Sequence, residues 1–172
     1  MNFVKLRSSK FSILDVAIYV GLVSIFMAVA VPLLRGAALQ KRTAECASKL
    51  MWAADAFDQY AANAGEYPPD GDGPGAVQPC REMGRTFYEF SIDWWGESTD
   101  LGGAWDWFRD ENRGFIAISN PQVSEKEMKR LDRLIDDGNL DGGMFRRYGS
   151  IYCYILKHDD VVVLPCSKIY YY

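Results

Sequence analysis

The hydrophobic pattern of this chain changes period several times, and each change marks an element. Residues 16–34 are nineteen uncharged, mostly apolar positions with no alternation at all. As a helix such a run spans ~28 Å, close to the ~30 Å hydrocarbon core of a bilayer. Beyond it, Cys46, Leu50, Ala54, Phe57 and Ala61 recur at helical spacing, while Lys41, Arg42, Glu45, Lys49, Asp55 and Asp58 occupy other faces. One helix from about residue 12 to residue 62 is therefore predicted, ~75 Å long at 1.5 Å per residue. It should stop near Asn63-Ala64-Gly65, with Pro68-Pro69 as a barrier beyond.

Downstream the periods shorten. Residues 67–75 are rich in Pro, Asp and Gly and read as a loop. Residues 85–95 are ambiguous between a short helix and a strand. Residues 102–107 (Gly-Gly-Ala-Trp-Asp-Trp) and 114–119 (Gly-Phe-Ile-Ala-Ile-Ser) read as two strands joined by a charged turn at 109–113. Ser124 and Glu127 stand three apart ahead of Met128, Leu131, Leu134 and Ile135, a capping box opening a helix that ends at Asp136-Asp137-Gly138. Residues 151–157 and 160–164, rich in Ile, Tyr and Val, read as a hairpin turning at His158-Asp159. The expected class is α+β: a long amino-terminal helix packed on a small antiparallel sheet, with one accessory helix.

Charge sets the orientation. Lys5, Arg7 and Lys10 precede the apolar run and stay cytoplasmic under the positive-inside rule, which places the carboxyl-terminal region outside. A secretory signal cleaved after Ala28-Val29-Ala30 is the competing reading, but Asp15 would interrupt its apolar region and Pro32 would follow the cut too closely. A plain single-pass anchor is the other. Asp15 is the informative residue, because a carboxylate in a membrane helix is costly and usually has a partner.

Phe11, Asp15 and Pro32 together resemble the amino-terminal signature of type IV pilins and of the pseudopilins of type II secretion. In that family a basic leader is cut before a Phe, an acid stands fifth in the mature chain, and a proline lies near the far end of the apolar helix. Two positions depart from the pattern: Lys10 stands where the family has Gly, and the acid is Asp rather than Glu. The resemblance implies leader cleavage between Lys10 and Phe11, N-methylation, and an intersubunit charge at Asp15. It further implies a helix kink at Pro32 and assembly into a homo-oligomeric helical filament, with a prepilin peptidase and an inner-membrane assembly platform as partners. Its division of the chain would be a leader over 1–10, a membrane or filament-core segment over 11–34, and a periplasmic domain over 35–172. Localisation would be single-pass in the inner membrane, or a surface filament once assembled. The pattern Gly-Gly-x-Trp-Asp-Trp with a later Asp-Asp-Gly-Asn-Leu is also similar to prepilin-like proteins of some environmental bacteria, over about residues 100–148.

Four cysteines in a domain expected outside predict two disulfides. Three pairings are open, and free buried thiols are the alternative. The hairpin at 158–159 would bring Cys153 near Cys166, leaving Cys46 with Cys80. Asp137, Asn139 and Asp141, followed by Gly142, match the first half of a calcium loop, although Tyr148 stands where the twelfth-position acid belongs. Major pseudopilins carry a structural calcium near their carboxyl-terminal sheet, so the resemblance implies calcium here; an Asp-rich capping turn is the alternative.

The remaining chemistry argues for a structural protein. The net charge of −4 becomes −7 without residues 1–10, and no basic stripe suits nucleic acid. With His158 the sole histidine, no Ser/His/Asp or Cys/His site is expected, so no enzyme. Trp94, Trp95, Trp105 and Trp107 are expected in the core. An uncleaved, membrane-anchored periplasmic domain that binds carbohydrate through them is the alternative function.

Overall fold

The computed structural model describes residues 12–110 and 113–157. The longest element, α1 (Ile13–Ala64), is one continuous helix with Pro32 inside it. Its length and apolar composition suffice to cross a membrane. Within residues 13–40 most of its large apolar side chains, among them Ile18, Leu22, Phe26 and Leu33, are exposed. It ends where expected, because Gly65 takes φ +84° and donates its N–H to the Ala61 carbonyl. A positive φ of that kind is cheap for glycine and closes a helix.

Residues 41–157 form a compact unit of their own. Four antiparallel strands make one sheet in the order β1-β2-β4-β3: β1 (Ala104–Asp110), β2 (Arg113–Ser119), β3 (Phe145–Tyr148) and β4 (Ile151–Lys157). The α+β class is as expected. The stripe read from sequence is the buried one, with Cys46, Leu50, Ala54, Phe57 and Ala61 at most 4% exposed. The sheet faces this stripe with Trp105, Trp107, Ile116 and Ile118, each at most 2% exposed. Phe57 stacks flat on Trp107 at 3.7 Å between centroids, and Trp95 fills the space between Phe57 and Trp105. Gly114 is required here, since a Cβ at that position would collide with the Trp107 ring.

The ambiguous segment resolves as a 3₁₀ turn, Arg81–Met83, running into a short helix α2 (Gly84–Glu89). The accessory helix α3 (Glu125–Ile135) forms as predicted, but Ser124 contributes no side-chain cap; its carbonyl receives the Glu127 and Met128 N–H groups instead. The expected charged turn is tighter than drawn, because β1 and β2 extend to Asp110 and Arg113.

The hairpin needs correction. Residues 151–157 do form a strand, and 160–164 lie outside the described residues, but β4 is interior. β2 pairs with it along its whole length and β3 pairs with residues 151–154, while the Ile155 N–H donates to the Met144 carbonyl. No edge remains beside residues 151–155 for a returning strand. The real hairpin is β3–β4, closed by Gly149-Ser150 with Gly149 at φ +63°. That two-residue loop is a known hairpin signal.

Candidate functional sites

The first turn of α1 is built around Asp15. The Leu14 N–H donates to Ser12 Oγ at 3.2 Å, and the Ser12 N–H donates to Asp15 Oδ2 at 2.9 Å. The two bonds cap the helix much as a capping box does, with Asp15 in the role usually held by Glu and the Ser12 hydroxyl accepting from Leu14 rather than Asp15. Asp15 thus has a local function, which the Ser-x-x-Asp spacing signals and which the sequence reading missed. Lys10 and Phe11 lie outside the described residues. Pro32 sits within the exposed apolar stretch.

A second constellation lies where α3 meets the loop before β3. One carboxylate oxygen from each of Asp132, Asp136 and Asp137 lies within 4.8 Å of the others. Asp132 is wholly buried, and neither of its oxygens has a partner in hydrogen-bond geometry among the described residues. Burial, and then the charges of Asp136 and Asp137, push its carboxyl up to about 6; the nearby Gly138 N–H offsets only part of this. Asp136 Oδ2 accepts from the Met144 and Phe145 N–H groups, tying α3 to β3.

Of the expected calcium trio, Asp137 belongs to this carboxylate cluster and Asp141 is not among its members. Asp137 Oδ1 accepts from the Asn139 N–H at 2.7 Å, and Asn139 Oδ1 from the Asp141 N–H at 3.2 Å, which are turn-forming bonds. Asp132 and Asp136 were missed because Asp132 looks like one charge on a charged helix. Its position between the buried Met128 and Leu131 and the i,i+4 partner Asp136 was the available signal. Three hard oxygen donors, one of them buried without a partner, suit a calcium ion, and a buried uncompensated charge is costly without one.

The cysteines depart from expectation. Cys46, Cys80 and Cys153 are buried free thiols, and Cys166 lies outside the described residues. Cys46 is pushed up to about 12 by burial, then by Asp100. Cys46 and Cys80, expected to pair, are not bonded to each other.

Trp94, Trp95, Trp105 and Trp107 are all in the core, at most 9% exposed. None presents a free ring face for stacking on a sugar. A polar groove of about 490 Å³ opens above Leu101 between α1 and the loop before β1, where Lys49 Nζ meets Asp100 Oδ1 at 3.1 Å and covers the Trp94 ring. Its mixed charges select no ligand chemistry. No family model, curated protein or solved structure matches this chain.

Proposed function

We propose that this protein is a single-pass structural subunit of the type IV pilin or pseudopilin kind, assembled into a helical filament through α1. The observation that carries this reading is the make-up of α1 (Ile13–Ala64). It begins with a capped acid, continues as an exposed apolar stretch containing a proline, and from Thr43 onward carries a buried stripe under an antiparallel sheet. A soluble domain has no use for so large an exposed apolar area, which marks a membrane or protein contact. In this reading the inner membrane holds the subunit before assembly, and the region beyond residue 35 is periplasmic.

Processing provides the test. In its own host the mature chain should begin at Phe11 with a free or methylated amine, as read by intact-mass and amino-terminal peptide spectrometry. A chain that still starts at Met1 would leave a membrane-anchored domain instead, because the amine that is to meet Asp15 would not exist.

We further propose that Asp132, Asp136 and Asp137 hold a structural calcium ion, with the orphaned Asp132 carboxylate as the favouring observation. A cation that binds only the folded chain stabilises it by about 2.7 kcal/mol at a hundred times Kd. The full chain in detergent should therefore melt higher with millimolar calcium than with chelator. Asp132→Asn should abolish that difference without lowering the chelated midpoint, since it removes an unpartnered buried charge at constant shape. A midpoint indifferent to calcium would reduce the cluster to a helix-capping turn.

A further inference from the structure

The sheet has two edges, β1 and β3, and each is closed by something other than a strand. An open edge offers a row of unpaired N–H and C=O groups to which a second chain can pair. Along β1, alternate residues turn these groups away from β2, namely Trp105, Trp107 and Arg109. The Gly75 N–H donates to the Trp105 carbonyl at 2.9 Å, and the Gly71 N–H to the Trp107 carbonyl at 3.1 Å. The Arg109 N–H donates to Asp70 Oδ1 at 2.8 Å, while the Trp107 N–H donates to Oδ1 of its neighbour Asp106 at 2.9 Å. Residues 69–75 thus lie along β1 as a strap of turns and contain no strand.

A handful of polar ties hold the strap. Trp107 Nε1 donates to the Pro69 carbonyl at 3.1 Å, and the Asp72 N–H to the Pro79 carbonyl at 3.0 Å. Arg109 Nη1 donates to the Tyr67 carbonyl at 2.6 Å and to Glu66 Oε2 at 3.1 Å. Pro69, Asp70, Asp72, Pro74 and Gly75 are exposed, so the strap buries little apolar area of its own. Segments of that kind open at low free energy while the core stays shut. The β3 edge is shorter, four residues against seven in β1. It is closed by Asp136 Oδ2, which accepts the Phe145 N–H, and by the Leu140 carbonyl, which accepts the Arg147 N–H.

We propose that residues 69–75 are a releasable strap over the β1 edge, and that with the strap off this edge pairs antiparallel with the β1 edge of a second copy of the chain. The residues of β1 suit that occupant. Centred on Trp107, self-pairing sets Trp105 opposite Arg109, Asp106 opposite Phe108 and Ala104 opposite Asp110. The outward backbone groups of Trp105, Trp107 and Arg109 then meet one another in register. No like charges stand directly opposite, an arrangement that would oppose pairing. Such a pair is two-fold and closes on itself. The inference does not rest on filament assembly.

Gly71 is the place to lift the strap. A Cβ there would lie 2.7 Å from the Pro79 carbonyl oxygen and 2.8 Å from that of Trp107, both of them backbone atoms. The test compares the full-length chain with its Gly71→Val variant in mild detergent, by hydrogen-exchange spectrometry and light scattering over a range of protein concentration. Both chains carry the same α1, so association through that helix cancels in the comparison. In dilute Gly71→Val the Gly75 and Arg109 amides should exchange more than about tenfold faster than in the unaltered chain, because the bonds that hold them to the edge are lost. As concentration rises a dimer should appear, and the Trp107 and Arg109 amides should slow again while Gly75 stays fast. Unchanged exchange would show that the strap is not released, and fast exchange at Arg109 at every concentration, with or without a dimer, would show that the edge does not pair; either result overturns the proposal. Arg109→Ala, which removes only the side-chain tie to Glu66 and Tyr67, should give the same pattern at smaller amplitude. It decides the matter if Gly71→Val loses the blue-shifted emission of the buried tryptophans.

Discussion

Replacing Phe57 with alanine should bring the region beyond residue 41 close to unfolding. Phe57 is fully buried and meets Trp107 face to face and Phe87 and Trp95 edge-on, so it joins α1, α2 and the sheet at one point. Large-to-small changes at such sites cost about 3–5 kcal/mol through lost burial and the cavity left behind. Whole domains are stable by only about 5–15 kcal/mol. Near-ultraviolet dichroism and tryptophan emission of the full chain in denaturant should show the transition moving down by that amount. Phe57→Leu should recover most of it, by refilling the volume without the ring. A loss below about 1 kcal/mol for the alanine variant would mean the contact between α1 and the sheet is not central to stability.

Neutralising Asp15 should abolish incorporation into filaments and leave the sheet domain folded. Two roles meet at this residue and can be separated. Asp15 accepts the Ser12 N–H, a cap whose loss costs about 1 kcal/mol and acts locally. In the proposed assembly its charge also meets the amino terminus of a neighbouring subunit in an apolar core, where stranding one partner costs about 3–5 kcal/mol. That corresponds to a loss of assembly of more than about a hundredfold. Asp15→Asn preserves an acceptor for the cap and removes the charge, so it should fail as completely as Asp15→Ala. Sheared filament fractions and thermal melts of each variant measure the two effects. Normal incorporation of the Asn variant would assign Asp15 to the cap alone.

What was legible in the sequence was local. The helical stripe from Cys46 to Ala61 could be read because a helix contacts itself at three and four residues, so its buried face is written in one continuous segment. The same holds for α3 and for β1 and β2, which are joined by a short turn. The strand pairing is non-local. The run 151–157 was recognised as a strand, yet its neighbours were misassigned. A strand reports its own period and not which edges others will occupy, and Phe145-Arg146-Arg147-Tyr148 carried too little alternation to compete as the partner. Asp132 looks like surface charge because it stands among charged residues on α3, and nothing in that spacing alone says that it is buried.

The sequence by itself determined that the chain has a long apolar helix with an acid in its first turn, an exit from that helix at Gly65, and an α+β body rich in buried aromatics. Those are matters of composition, period and the φ preference of glycine. Only the tertiary structure decided that Phe57 rests on Trp107 with Gly114 making room, that β4 lies between β2 and β3, and that Asp132 is buried. Each depends on where separate elements meet, which is set by the mutual packing of whole faces and is not carried by the spacing within any one segment.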